Sequence, residues 1–156
     1  MPIPEAFLDL FYRPAFAHLA TLMPDGGPQI TPIWIDYDGQ YVLINSAKGR
    51  VKNRNMAQHA QVALTIVDPD NPYRYLMIRG QVAEISEAGG AEHLDRLAMR
   101  YLGSPYPAEW RRPHKIRQIF KIAIEHIVAR MIASDAEYQT HQAAMAQAQY
   151  QRSEAR

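Results

Sequence analysis

Six apolar runs with the two-residue period of β-strands, separated by tight-turn residues, constrain this chain more than any other feature. They are "AFAHLATLM" (15–23), "PQITPIWIDY" (28–37), "QYVLIN" (40–45), "QVALTIVD" (61–68), "YRYLMIRGQVAEIS" (73–86) and "KIRQIFKIAIEHIVARMI" (115–132). β-branched and aromatic side chains suit a pleated, half-buried surface. "PDGG" (24–27) and "PDNP" (69–72) are turn sequences, in which proline presets φ and glycine supplies positive φ. "DG" at 38–39 is a tight-hairpin signal. Gly80, inside the fifth run, predicts a bulge or a close backbone approach. In the sixth run Ile116, Phe120, Ile122, Ile124 and Val128 are expected on one face. Antiparallel strands on short turns, with one helix before the last, predict a small closed barrel.

The remaining segments read as helices and one loop. Residues 4–12 suit a short helix with Phe7, Leu8 and Phe11 on one side, and 51–59 suits another. The clearest helix is 87–103, where Leu94, Leu97, Ala98 and Tyr101 repeat at helical spacing and Gly103 is the stop. Residues 104–114 form a Pro- and Arg-rich loop. Residues 135–156 favour helix by propensity, but their thin apolar content predicts a tail that is frayed or docked on a partner. The expected organisation is a domain over 1–134 and a helical tail over 135–156.

Composition narrows the function classes. A chain of 156 residues buries enough surface to fold without staples. It has no cysteine, so neither a disulfide framework nor a thiolate metal site exists. Seventeen Lys and Arg against sixteen Asp and Glu argue against a general nucleic-acid binder. The N-terminus lacks the basic and apolar regions of a signal peptide, and no apolar run approaches the ~18 residues of a membrane span. The expectation is a soluble cytoplasmic protein with neither nucleic-acid nor membrane partners. Histidines 18, 59, 93, 114, 126 and 141 show no close metal-ligand spacing and read as surface or edge residues. Nucleophile-elbow and Walker-loop motifs are absent. Such a chain can still be an enzyme if a cofactor carries the chemistry.

The positive charge gathers in one place. "INSAKGRVKNRN" (44–55) carries Lys48, Arg50, Lys52 and Arg54 after a strand end at Ser46, with Gly49 to turn the chain and a helix to follow. Backbone N–H groups at a helix start, with Ser, Lys and Arg donors, make a natural phosphate site. A solvated basic helix accounts for the same composition equally well.

Beyond composition, "TPIW", "NSAKGRVKNRNM", "VDPDNPYRYLMIRG" and "YLGSPYP" stand in an order and spacing that resemble the pyridoxamine 5'-phosphate oxidase-like split β-barrel superfamily, and within it the F420-dependent branch. The resemblance covers about residues 5–132. It implies a mainly β (α+β) fold: a split antiparallel β-barrel, FMN-binding-like, with a few peripheral helices. It further implies a homodimer with flavin-type cofactors at its interface. The cofactor phosphate is expected near Ser46, Lys48, Arg50 and Lys52, and the ring against Thr31, Pro32, Ile33 and Trp34. Asn55 and Arg79 are further polar candidates.

Trp34 reads equally as core or cofactor wall, and Arg79 also as a surface strand residue. Tyr73 and Tyr75 read as dimer packing, "EWRRP" (Trp110, Arg111, Arg112) as a solvent loop before a pocket cap, and His126 as structural. The tail departs from the family pattern. The implied activity is hydride transfer from reduced coenzyme F420 to a small unsaturated or conjugated substrate. Lys52 and Arg54 are spare charges for the acidic tail of F420. The alternatives are an FMN-dependent oxidoreductase in the same site and a non-catalytic flavin-binding protein. The sequence picks no proton donor.

Overall fold

The computed structural model describes residues 1–155. A 3₁₀ helix (Glu5–Phe11) precedes β1 (Ala17–Leu22), β2 (Pro28–Ile33), β3 (Asp36–Tyr37) and β4 (Val42–Ala47). Then come α1 (Val51–Gln58), β5 (Gln61–Val67), β6 (Arg74–Ser86), α2 (Gly90–Leu102), β7 (Arg117–Met131) and α3 (Asp135–Glu154). The strands form one antiparallel sheet in the order β2-β1-β5-β6-β7-β4-β3. Its edges, β2 and β3, are consecutive in the chain and joined only by Trp34 and Ile35. That short link draws the edges together and curls the sheet around its core, giving a split β-barrel.

The expected run 28–37 is therefore two strands, and the sheet has seven strands where six were anticipated. The reason lies in α2. The Tyr101 hydroxyl accepts from the Ile35 N–H at 3.1 Å and donates to the Ala15 carbonyl at 2.6 Å. Arg100 donates to the Ile35 carbonyl at 3.0 Å. Ile35 thus satisfies both backbone groups on helix side chains instead of a ladder.

Inside the barrel Leu10, Phe11, Leu19, Ile35, Ile44, Ile66, Leu76, Ile78, Phe120 and Ile122 are fully buried. Gly80 lies where the β6 and β7 backbones approach closely, since a Cβ there would stand 2.2 Å from the Ala123 carbonyl oxygen. Beside it the register slips, Gly80 facing Ile124 and Arg79 facing His126, so Glu125 is the extra residue of a bulge. The bulge inverts the alternation of β7. Ile124 points inward, but beyond it Ile127 and Ala129 pack on the core, and Val128 does not share the face of Ile124 as anticipated. Ile116 lies outside the strand and is exposed.

One end of the barrel is sealed by ions. Arg74, nearly buried, donates to Asp68 at 2.7 Å, to both Asp9 oxygens and to the Ala6 carbonyl, beneath the Phe7 ring. Arg13 pairs with Asp9, Asp68 and Asp70. Beyond the sheet, α3 begins in a capping box between Ser134 and Glu137 and buries none of its residues. Among the described residues no helix is long and apolar enough to cross a membrane.

Candidate functional site

A groove runs between β2, the start of α1, α2 and the 104–117 segment. Its inner part, about 200 Å³, is lined by Phe16, Pro32, Trp34, Tyr106 and Trp110 on the aromatic side and by Arg50, Lys52 and Arg117 on the basic side. It opens into a cleft of about 730 Å³ that shares Arg50, Tyr106, Trp110 and Arg117 and adds Arg111, Arg112 and Lys115.

The aromatic wall is built by packing. Trp34, in the link between the sheet edges, stacks on Tyr101 of α2 with centroids 5.1 Å apart and planes 12° from parallel. Tyr106 meets Trp34 edge-on at 6.2 Å and Trp110 at 5.8 Å. Beside this wall β2 is a sheet edge, so the backbone groups on its outer side have no ladder partner.

The basic side comes from three elements. Arg50 precedes α1, which starts without a side-chain cap and without an acidic residue in its first turn. Lys52 is nearly buried within α1. Arg117 opens β7, placed opposite Ala47 by the β4–β7 register. No carboxylate among the described residues pairs with any of the three. Burial, then Arg50 and Arg117, holds the Lys52 ammonium below the usual lysine range. Burial also disfavours the charge on Arg117; Tyr106 opposes that and Arg50 adds to it. Like charges held close in a partly desolvated place raise the free energy of the empty site and favour a bound anion.

Some buried polar groups are also incomplete, and of these Asn45 lines the groove. Ser46 Oγ, Asn45 Oδ1 and Asn53 Oδ1 are buried without hydrogen-bond partners, as is Thr31 Oγ1 on β2. Such groups are costly unless something completes them. A donor set of three cations and an uncapped helix start, beside flat aromatic rings, fits a phosphate-bearing planar cofactor.

The expected site residues divide into three groups. Pro32, Ile33, Trp34, Arg50 and Lys52 line the groove together. Ser46 lies fully buried at the end of β4, and Thr31 is half-buried on β2. The exposed Lys48 ammonium is held by Glu87 at 2.7 Å. Asn55 turns into the barrel instead, donating to Thr21 Oγ1 at 3.0 Å and to Met23 Sδ at 3.3 Å. Arg79 stands on the outer face of the sheet beside His18, Met77 and His126. Arg54 donates to the Gly49 carbonyl at 2.7 Å.

Sequence reasoning missed Arg117, Tyr106 and Asn45. Tyr106 sits within "YLGSPYP", so a signal was present; Arg117 and Asn45 needed the strand pairing. His93 is not the surface histidine expected. It is fully buried, bonded to Asp36 Oδ2 at 3.0 Å and Asn45 Nδ2 at 3.2 Å. Burial pushes the Asp36 carboxyl up, but the bonds from His93, the Tyr37 N–H and Arg100 bring it below the usual range.

Comparison with known proteins agrees with this architecture. No curated protein matches the chain. Among solved structures, an F420 reductase is 34% identical with a TM-score of 0.71, covering 81% of this chain and 98% of its own. HupZ of Group A Streptococcus is 21% identical with a TM-score of 0.60 over 85% of this chain and 97% of its own, and shares the fold. A conserved hypothetical protein of Mycobacterium tuberculosis is 25% identical with a TM-score of 0.59 over 83% and 85%. The family model for pyridoxamine 5'-phosphate oxidase matches residues 3–131, and the chain belongs to that family.

Proposed function

We propose that this protein is a cytoplasmic, homodimeric oxidoreductase that uses reduced coenzyme F420 to reduce a small unsaturated or conjugated substrate. The observation that carries the reading is the trio Arg50, Lys52 and Arg117, left without a carboxylate at the foot of an aromatic wall. The 34%-identical F420 reductase favours a deazaflavin. So do Arg112 and Lys115 in the adjoining cleft, which suit an acidic tail leaving the groove; Arg111 beside them is paired with Asp95, and Glu87 and Glu109 also line the cleft.

Each residue then has a physical task. Arg50, Lys52, Arg117 and the first N–H groups of α1 hold the phosphate. Unpaired backbone groups of β2 around Thr31, Pro32 and Ile33 meet the ring's polar edge. Trp34, Tyr106 and Trp110 flank the ring and exclude water. The bound cofactor supplies the hydride.

In the dimer reading, the outer sheet face of His18, Ile30, Met77 and Val128 packs on its counterpart. Ile30 is 66% and Met77 43% exposed, a bare apolar surface for a monomer. Leu76 and Ile78 of the same strand belong to the core, so only its alternate residues, with Tyr73 and Tyr75, face outward. Arg79, on that face, reaches a cofactor only across the interface.

The alternative is an FMN-dependent oxidoreductase, favoured by the family match itself. Titrating the apo protein with F420 and FMN under identical conditions separates the two. The F420 reading expects micromolar or tighter F420 binding, much weaker FMN binding, and oxidation of reduced F420 by a conjugated acceptor. Equal or tighter FMN binding moves the assignment to FMN. Tight binding without turnover points to a carrier.

A further inference from the structure

A second polar feature of the groove is unused by the phosphate and ring contacts above. Asn45, on β4, lines the inner groove beside Lys52 and Arg117. Its amide orientation is fixed by a neighbour that can only accept: the Gly90 carbonyl lies 2.8 Å from Nδ2. Gly90 is required there, because a Cβ would stand 2.5 Å from the Arg117 carbonyl oxygen. With Nδ2 so assigned, its other hydrogen goes to His93 Nδ1 at 3.2 Å. His93 Nδ1 therefore accepts, and its Nε2–H donates to Asp36 Oδ2 at 3.0 Å. Asp36 is held in turn by Arg100 and the Tyr37 N–H.

Both hydrogens of the Asn45 amide are thus committed to protein. Its Oδ1 is buried and has no partner. A buried acceptor costs free energy unless a donor meets it, and the chain through His93 prevents the amide from turning over to find one.

The geometry points to Asn45 Oδ1 as a ligand contact in the groove, accepting a hydrogen bond from a neutral N–H or O–H of the cofactor, with His93 as the residue that positions it. This deepens the cofactor reading above and rests on it. Such a contact reads a donor and rejects a lone pair at that place.

The test compares FMN, riboflavin, lumiflavin and inorganic phosphate on wild type and Asn45→Ala. Affinity for F420, titrated alongside, and for FMN is expected to fall about three- to tenfold, the range of one neutral hydrogen bond, with phosphate affinity unchanged. A penalty that persists with lumiflavin assigns the donor to the ring N–H; one confined to FMN and riboflavin assigns it to a polyol hydroxyl. His93→Gln, which can still accept from Asn45 and donate to Asp36, should retain affinity, whereas His93→Leu should repeat the Asn45→Ala loss. Should Asn45→Ala fail to fold, the Asn45 side-chain amide resonances of the wild type are expected to shift when FMN is added. Wild-type affinity in Asn45→Ala, or unmoved amide resonances on saturation with FMN, overturns the inference and leaves the cofactor reading standing. A wild type that takes up neither FMN nor F420 overturns both.

Discussion

The barrel carries a knot of cations at each of two places, and they differ in one respect. Arg13 and Arg74 face three carboxylates, Asp9, Asp68 and Asp70. Arg50, Lys52 and Arg117 form an ion pair with none among the described residues, although Glu87 and Glu109 stand in the cleft that Arg50 and Arg117 share. In the first knot every cation has a carboxylate partner, and it ties the N-terminal 3₁₀ helix to the 69–72 turn. The second stays charged and lies open to a groove. Similar residues therefore do opposite work: where the protein supplies the counter-charge, the cluster is structural; where it does not, a ligand is expected to supply it.

The largest effect that distinguishes them is on stability. Arg74→Met removes every bond that Arg74 makes to Asp68, Asp9 and the Ala6 carbonyl, leaves the buried Asp68 with Arg13 as its one cation at 3.3 Å, and should cost about 3 kcal/mol or more, read as a fall in urea midpoint and melting temperature. Arg117→Ala should leave stability unchanged or improved, since it relieves repulsion from Arg50. Comparable losses from both would erase the contrast.

Next in size is ligand affinity. Arg50→Ala and Arg117→Ala should each weaken F420 or FMN binding by about 1.5–3 kcal/mol, roughly ten- to a hundredfold, in fluorescence titrations. Arg74→Met, per folded molecule, should bind as wild type does.

Dependence on pH sharpens the comparison from both sides. Asp9 is lowered chiefly by its bond from Arg74. Burial pushes Asp68 up, yet the Asp70 N–H and the Arg74 bond bring it below the usual value. Carboxylates depressed in the folded state add stability above the unfolded value of 3.8. That stability should vanish as pH falls from there through the folded values, and in Arg74→Met the acid-side loss should be smaller. Lys52 works in reverse. Its lowered value means that the protonated ammonium costs stability, a cost relieved as pH rises toward 10.5, while phosphate affinity falls over the same alkaline range. The smallest expected effect belongs to Lys48→Ala. An exposed pair with Glu87 contributes at most about 1 kcal/mol, so stability and affinity should barely move.

Much of the barrel is legible in the chain because alternation and turn chemistry are local. The strands, the turns at 24–27, 38–39 and 69–72, and the helix carrying Leu94, Leu97 and Tyr101 all follow from neighbouring residues. What local pattern misses is set across the chain. The break at Trp34–Ile35 comes from Tyr101 and Arg100 taking the Ile35 backbone groups. The inverted face of β7 beyond Ile124 comes from the bulge opposite Gly80. In the site, Arg50 and Lys52 stand together in one motif and so are readable. Arg117 joins them only through the β4–β7 register, and His93 reaches Asp36 and Asn45 only after α2 folds over β3 and β4. Asn55 shows the converse: it shares the basic motif in sequence, but its helical phase turns it into the core.

The central claim is that the unpaired trio is the seat of a phosphate, and the paired ligands FMN and riboflavin test it most directly, since they share a ring and a polyol and differ only in that group. Affinity for each should be measured by fluorescence titration on wild type and on Arg117→Ala at fixed ionic strength. The account predicts that wild type prefers FMN by at least about tenfold and that Arg117→Ala abolishes most of that preference without altering riboflavin binding. Equal affinity for FMN and riboflavin in wild type, or an FMN preference untouched by Arg117→Ala, would contradict it.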